Sequence, residues 1–273
     1  MTRLLMSLRH RLAGLLLTLN VSPNTLTVLG FALTCVAGGC LMVAAGDRPA
    51  WERADGDVRG SCWPLATAGV MLLAFLMDFL DGAVARQGGT TSAFGAILDS
   101  TLDRMSDLVL FYACGLHFFL RDNLTLLALS LSAGASAVAI SYVKARTEKF
   151  ADDCGVGFWQ RGERCVTLWL GVLMGHVPAS LWVLGTLPVL TLIRRLRYAA
   201  LVTDSSRRPP KLELDAEPLF WRQPRGCWGY TLSAIVVALF VVSAPWITDL
   251  FDARFDPLGT LRRIVASAPS AGL

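Results

Sequence analysis

Residues 78–107 read DFLDGAVARQGGTTSAFGAILDSTLDRMSD and place five aspartates beside or within two apolar stretches. The whole chain is apolar: 54% of its 273 residues are hydrophobic, only 17% are charged, and the mean hydropathy is +0.52. A soluble domain carries about 25% charged residues. The composition therefore predicts an all-α integral membrane protein, and it excludes a cytosolic enzyme, a disordered chain and a nucleic-acid-binding protein.

Apolar runs long enough to cross a bilayer recur along the chain, since one membrane helix needs about 20 residues. We expect a bundle of six spans and an extra one near the C-terminus. The predicted spans are 24–45, 63–82, 94–120, 124–145, 163–184 (interrupted around Gly175 and Pro178), a sixth ending near Ile193, and 227–250. The resulting division is a six-helix catalytic domain at 21–200, a polar linker at 201–226, an extra transmembrane helix at 227–250 and a tail at 251–273.

The N-terminal residues 1–20 alternate arginines with leucines, which is typical of an amphipathic helix lying at the membrane interface. Most Lys and Arg residues fall on one side of the predicted spans, together with the N-terminus. Because positive loops face the cytoplasm, we expect that side to be cytoplasmic. The sequence therefore predicts a protein of a prokaryotic-type cytoplasmic (inner) membrane, with its functional site facing the cytoplasm.

The aspartates of residues 78–107 form two helical sets. Asp78 and Asp81 are three residues apart, while Asp99, Asp103 and Asp107 are spaced by four, so each set shares a helix face. Ionised carboxylates near hydrocarbon cost several kcal/mol each unless they are paired, so such acids indicate a functional site. Antiparallel neighbouring helices joined by a short loop would bring the two faces together, and one divalent cation or a pair would offset the repulsion between the acids. Ligands that are all oxygens favour Mg²⁺ or Mn²⁺, which hold phosphate oxygens.

The same residues carry a family resemblance. Asp78-x-x-Asp81-Gly82-x-x-Ala85-Arg86, then eight residues, then Gly95-x-x-x-Asp99-x-x-x-Asp103 resembles the signature of the CDP-alcohol phosphatidyltransferases. Pro23-Asn24-Thr25-Leu26-Thr27 is similar to the P-N-x-x-T opening of that family's first span. The resemblance, which covers roughly residues 1–200, implies a six-helix membrane enzyme, usually a homodimer. Such an enzyme transfers a phosphatidyl group from a CDP-linked lipid, such as CDP-diacylglycerol, to an alcohol and releases CMP.

The resemblance also implies roles for single residues. Asp78, Asp81 and Asp99 would hold the metal ions, two by expectation, and Asp103 would share metal contact or act as the base. The CDP-lipid would be bound by Asn24, Thr25, Gly82, Ala85, Arg86 and Gly95. Asp107 lies outside the signature, and we expect it to pair with Arg104 or Lys144.

A basic cluster on the predicted cytoplasmic side bears on the acceptor. The segments SYVKARTE (141–148) and RGER (161–164) resemble those of the prokaryotic branch that makes phosphatidylinositol phosphate and of its glycerophosphate-using relatives, although Gln160 stands where that branch has Glu. A phosphate suits a group of cations, guanidinium groups above all. The residues expected to bind the acceptor phosphate are Lys144, Arg146, Arg161, Arg164 and Arg195.

Inositol phosphate is therefore the first expectation for the acceptor. Glycerol 3-phosphate or a neutral alcohol is an alternative, and anchoring to anionic headgroups is another explanation of the cations. Two other classes of protein stay open at this point, a cation transporter and a catalytically silent lipid-binding scaffold. A transporter explains neither Gly95 nor the one-sided basic cluster, and a silent scaffold would be expected to have lost at least one of the four acids of the signature.

Overall fold

The structure is a computed structural model that describes residues 2–47, 49, 61–150, 156–203, 228–247 and 254–267. The described residues are mostly helical. The helices are α1 (Thr2–Thr18), α2 (Pro23–Ala44), α3 (Trp63–Gln87), α4 (Ala93–Phe119), α5 (Leu124–Thr147), α6 (Arg161–Met174), α7 (Val177–Thr203), α8 (Trp228–Ile247) and α9 (Pro257–Ser267). The all-α prediction is therefore confirmed for this part of the chain.

Four of the described helices, α2, α3, α5 and α7, are long and apolar enough to cross a membrane. They and their neighbours expose large apolar side chains such as Val36, Leu72 and Leu190, as helices in contact with lipid do. The predicted span at 94–120 forms the helix α4, whose first half is charged, and α8 carries a shorter apolar stretch, Tyr230–Ala244. The count of six spans stays a prediction.

The prediction of one span at 163–184 is wrong, because two helices, α6 and α7, cover this range. The helix α6 ends at Met174 because Gly175 adopts a left-handed conformation with φ 70°, which glycine reaches without a steric penalty. The next helix, α7, begins at Val177 with Pro178 in its first turn, where the missing N–H of proline costs no helical hydrogen bond. The two residues thus separate two helices rather than interrupt one, and α6 has only 14 residues.

Helix packing brings three helix ends together. The helix α2 packs on α3 and α4, α5 packs on α4 and α7, and α6 packs on α3, α7 and α8. Leu41, Met71, Phe111 and Leu181 are almost completely buried in the shared core. As a result, the last turns of α3, the first turns of α4 and the first turn of α6 converge at one end of the bundle.

The predicted N-terminal helix is present as α1 and packs along α3. The guanidinium of Arg9 lies over the ring of Phe79 at 4.5 Å from its centroid, and His10 Nδ1 lies 2.5 Å from Gln87 Nε2. Ala13 is fully buried in this contact. The helix is thus attached to the bundle close to the end of α3, while its place at the membrane interface stays a prediction.

The C-terminal part of the chain contains the helices α8 and α9. The predicted linker begins at residue 201, but α7 continues to Thr203, and residues 204–227 lie outside the described residues. The predicted extra span coincides with α8 over 228–247. The tail contains a helix, α9, which was not expected from the sequence.

A hydrogen-bond cluster attaches α9 to the start of α5. Asp256 Oδ1 accepts hydrogen bonds from Thr125 N at 3.0 Å, Thr125 Oγ1 at 2.7 Å and Gly259 N at 3.0 Å. Burial alone would raise the pKa of Asp256, but these hydrogen bonds to the carboxylate outweigh it and hold that pKa below its ordinary value. The ionised side chain thus serves as N-cap of α9 and as its link to α5.

Candidate active site

Three of the predicted metal ligands meet at the converging helix ends. One carboxylate oxygen from each of Asp78, Asp99 and Asp103 lies within 4.8 Å of the others, and all three side chains are half-buried. Asp78 comes from α3, and the other two stand one turn apart on α4. The structure thus supports the prediction that the two sets of acids face each other.

Asp81, the fourth predicted ligand, is turned toward α2. Its Oδ2 accepts a hydrogen bond of 2.8 Å from Thr27 Oγ1, and both residues are buried. Its Oδ1 also accepts from the backbone N–H of Gly82. Asp81 therefore connects the end of α3 to the first span, one turn away from the group formed by the other three acids.

A guanidinium lies directly on this acidic group. Arg161 Nη1, at the start of α6, is 2.8 Å from Asp78 Oδ2 and 2.7 Å from Asp103 Oδ1. Arg161 was predicted to bind the acceptor phosphate, and the structure places it between the acids and the basic cavity described below. It therefore belongs to both parts of the site.

A cavity of about 190 Å³ opens on one side of the acids, where Asp81 and Asp99 form part of its wall. Five of the residues predicted to bind the CDP-lipid line this cavity, namely Asn24, Gly82, Ala85, Arg86 and Gly95. The sixth, Thr25, does not line this cavity. Thr25 is exposed, and its Oγ1 forms a hydrogen bond of 2.8 Å with Oγ of Ser22, the N-cap residue of α2. Thr27 lines the cavity instead, because it lies one turn after Asn24 on the same face of α2.

Gly82 and Gly95 keep this cavity open. A Cβ atom at Gly95 would lie 3.0 Å from Ser92 Oγ and 3.2 Å from Asn24 Oδ1. A Cβ atom at Gly82 would lie 3.3 Å from a guanidinium nitrogen of Arg86. Any side chain at either position would therefore crowd the polar groups that line the wall.

A second cavity, of about 410 Å³, opens on the other side of the acids at Asp103. Four of the five residues predicted to bind the acceptor phosphate line it, namely Lys144, Arg161, Arg164 and Arg195. The fifth, Arg146, is exposed and does not line the cavity. Lys144 forms an ion pair with Glu148 at 3.7 Å, and each of the two side chains is 41% exposed. This basic cavity is thus separated from the first cavity by the acidic group.

Two of these arginines are buried. Arg164 Nη2 lies 2.6 Å from Asp107 Oδ2, and its Nη1 donates to the carbonyl of Trp159 at 3.1 Å. The prediction that Asp107 pairs with Arg104 or Lys144 is therefore wrong, because the helix α6 brings a different cation onto α4. Arg195 donates from Nε to Val156 O at 2.9 Å and from Nη1 to Ile140 O at 2.8 Å. Backbone carbonyls thus fix its guanidinium at the cavity wall.

The donor set of the acidic group fits a hard divalent cation. Asp78, Asp99 and Asp103 offer carboxylate oxygens only, which suits Mg²⁺ or Mn²⁺ and does not suit a zinc site built on Cys or His. Asp81 lies one helical turn from Asp78 and can complete the set from α3. The two cavities flank this position, so a group bound in either one can reach it.

Comparison with known proteins identifies the family. The family model "CDP-alcohol phosphatidyltransferase" matches residues 20–193. The archaetidylinositol phosphate synthase of Methanothermobacter thermautotrophicus is 34% identical over 180 residues, which cover 63% of this chain and 80% of the relative. The phosphatidylinositol phosphate synthase of Mycobacterium tuberculosis is 32% identical over 194 residues, which cover 66% and 80% respectively.

Solved structures agree with the sequence relatives. The M. tuberculosis phosphatidylinositol phosphate synthase with CDP-DAG bound has a TM-score of 0.57 and 27% identity, and the match covers 70% of this chain and 92% of that one. The same enzyme in complex with manganese and citrate has a TM-score of 0.58 and 26% identity, with coverage of 70% and 88%. With the aspartate signature and two cavities already located in the matched region, the chain belongs to the CDP-alcohol phosphatidyltransferase family of phospholipid-synthesis enzymes.

Proposed function

We propose that this enzyme transfers a phosphatidyl group from a CDP-diacylglycerol-type lipid to inositol phosphate and releases CMP. The observation that carries the proposal is the placement of the acidic group between a small cavity with the family signature and a larger basic cavity. The relatives are named phosphatidylinositol phosphate and archaetidylinositol phosphate synthases, which supports the acceptor and leaves the lipid chains of the donor open.

The small cavity is proposed to hold the cytidine diphosphate end of the donor. Asn24 and Arg86 supply an amide and a cation at its wall, and Gly82 and Gly95 leave space for the nucleotide. Asp78, Asp81, Asp99 and Asp103 would hold one or two Mg²⁺ or Mn²⁺ ions, which would neutralise charge on the pyrophosphate oxygens. Thr27 would orient Asp81 through its hydrogen bond of 2.8 Å.

The basic cavity is proposed to hold the acceptor phosphate. Lys144, Arg161 and Arg195 line it and come from three helices, so a doubly charged phosphate could contact several of them together. Arg164 also lines it, although its charge is already matched by Asp107. A neutral alcohol such as serine offers no phosphate for this group of cations to contact, which is the reason for preferring a phosphorylated polyol.

Asp103 is proposed to act as the base, because it lines the basic cavity and belongs to the acidic group. It would accept the proton of the acceptor hydroxyl as that oxygen bonds to the lipid-linked phosphorus. The bond from this phosphorus to the bridging oxygen would break, and CMP would leave with that oxygen and its electron pair. Arg161, bonded to both Asp78 and Asp103, would orient the base toward the acceptor.

We also propose that the site faces the cytoplasm of a prokaryotic-type inner membrane and that the enzyme is a homodimer. The orientation is supported by the Lys and Arg bias of the sequence. The dimer is supported by the family resemblance.

The test is CMP release by the purified protein in detergent with CDP-diacylglycerol and Mg²⁺ or Mn²⁺. Inositol phosphate, glycerol 3-phosphate, free inositol and serine are compared as acceptors, and an ether-lipid donor is run in parallel. Release driven by inositol phosphate alone is the expected result. Release driven only by glycerol 3-phosphate would overturn the proposed acceptor, and release driven by a neutral alcohol would also remove the role of the basic cavity.

A matched pair of variants tests the base. Asp103→Asn keeps the side-chain volume and removes the proton acceptor, so we expect a folded protein with turnover reduced at least about a hundredfold. Asp122→Asn is the control, since Asp122 is exposed in the turn that follows α4, at the opposite end of that helix from the acidic group. Turnover of Asp103→Asn equal to that of the control would exclude Asp103 from the reaction.

A further inference from the structure

The helix α8 lies outside the region that matches the family, yet it packs against α6, the helix that begins at Arg161. Near its start, the Tyr230 hydroxyl donates a hydrogen bond of 2.5 Å to Glu163 Oε1. Glu163 is buried in the first turn of α6. The contact therefore joins a helix added to the family fold with the turn that carries an arginine of the site.

A second contact of Tyr230 reaches the segment that leads into α6. The rings of Tyr230 and Phe158 lie with their centroids 5.5 Å apart. Phe158 follows Gly157, which has φ 95°, and precedes Trp159, whose carbonyl accepts from Arg164. Tyr230 thus contacts both the entry segment and the first turn of α6.

The two ends of this first turn are held from different sides. Two residues that are two positions apart on a helix are rotated by about 200° around the helix axis, so their side chains point in nearly opposite directions. Arg161 accordingly contacts the acids of α3 and α4, while Glu163 contacts α8. The hydrogen bond from Tyr230 to Glu163 and the contact between the Tyr230 and Phe158 rings therefore resist rotation of the turn.

We propose that Tyr230 is a positioning residue that fixes the first turn of α6 and thereby holds Arg161 at the border between the acidic group and the basic cavity. The inference rests on the proposed function for its effect on the acceptor. Tyr230 lines the apolar cavity of about 390 Å³ between α6 and α8, and its contacts with Glu163 and Phe158 connect it to the site.

The first experiment measures steady-state CMP release by Tyr230→Phe, which removes only the hydroxyl. A typical hydrogen bond within a protein contributes about threefold to tenfold to an equilibrium, so we expect the KM for inositol phosphate to rise by about that factor. The KM for CDP-diacylglycerol should stay at its wild-type value, and the lost hydrogen bond should lower the unfolding temperature by only about 2–4 °C. Tyr112→Phe is the matched control, because Tyr112 is exposed on α4 and its ring lies beside Gly134 of α5.

A second experiment needs neither substrate nor turnover. Phenylglyoxal modifies accessible guanidinium groups, and mass spectrometry can follow modification of the peptide that contains Arg161. We expect this modification to become about threefold faster in Tyr230→Phe and to stay unchanged in Tyr112→Phe, in line with the size of the lost hydrogen bond. The variant Glu163→Gln, which keeps an oxygen for the tyrosine to donate to, should lie between Tyr230→Phe and the wild type in both experiments.

The outcomes separate the two proposals. If the wild type releases no CMP with inositol phosphate, the proposed acceptor fails, and the modification rate of Arg161 still decides the role of Tyr230. An unchanged modification rate in Tyr230→Phe would overturn the positioning role. An equal rise in the KM for both substrates would overturn it too, because that pattern indicates a purely structural contact.

Discussion

The buried ion pair between Asp107 and Arg164 allows a direct test of how this site is supported. Asp107 lies one helical turn after Asp103 on α4, and its carboxylate is 2.6 Å from the Arg164 guanidinium. The two side chains are only 5% and 1% exposed. We predict that Asp107→Asn lowers stability, whereas Asp103→Asn lowers turnover, although the two substitutions are chemically identical.

The magnitude follows from the burial of the pair. Removing one partner of a buried ion pair costs about 3–5 kcal/mol, because the other charge stays buried without compensation. The amide of Asn still accepts a hydrogen bond, and Arg164 keeps its bond to the Trp159 carbonyl. We therefore expect a loss near the lower end, about 3 kcal/mol in the free energy of unfolding.

The assay is denaturant titration of purified protein in mixed micelles, and the chain supplies its own control. Glu148→Gln removes one partner of the ion pair with Lys144, in which each side chain is 41% exposed. We therefore expect the free energy of unfolding to fall by less than about 1 kcal/mol. The double variant Asp107→Leu with Arg164→Met should recover most of the stability, since two apolar groups leave no charge buried.

A loss for Asp107→Asn as small as that for Glu148→Gln would refute this reasoning. The double variant also decides the role of Arg164. If its stability recovers and its KM for inositol phosphate stays at the wild-type value, Arg164 is a structural residue. If stability recovers but that KM rises, Arg164 contacts the acceptor as well as Asp107.

Three further predictions concern the supports of the site and the fold. Thr27→Val removes the hydrogen bond to Asp81 and should lower kcat/KM for the CDP-lipid about tenfold or more, while Thr27→Ser retains activity. Asp256→Ala should destabilise the protein by about 1–2 kcal/mol at pH 7. Because the folded-state pKa of Asp256 is lowered, this difference should be complete above about pH 4 and should vanish as the pH falls through that pKa, which unfolding measured at several pH values can show. Gly185→Ala would bring a Cβ atom to 2.8 Å from a carbonyl oxygen of α5 and should cost about 1–3 kcal/mol in the same unfolding assay without changing the KM of either substrate.

Local spacing in the sequence predicts much of this structure. The intervals between Asp78, Asp99 and Asp103 predict carboxylates on facing helix surfaces, and their oxygens do converge within 4.8 Å. Asp81 departs from this pattern because its partner, Thr27, lies 54 residues earlier on another helix. Thr27 is the final residue of the motif P-N-x-x-T, so the motif itself indicates a role for Thr27 in the site. The expectation that Thr25 binds the CDP-lipid instead is not supported by its position.

Contacts between distant segments are what the sequence leaves undetermined. Arg161 is 83 residues from Asp78, and Arg164 is 57 residues from Asp107. No local periodicity relates these positions, because their pairing depends on how α6 packs on α3 and lies beside α4. The short length of α6 is likewise not evident from the sequence. Gly175 and Pro178 are compatible with an interruption of one helix as well as with the end of α6 and the start of α7.

The separation of the two cavities by the acidic group has a kinetic consequence under the proposed function. The donor and the acceptor have their own entrances, so neither has to leave before the other binds. The reaction should then proceed through a ternary complex, with initial-rate lines that intersect when both concentrations are varied. CMP would depart by the side on which the nucleotide arrived, so it should compete with the CDP-lipid and not with inositol phosphate.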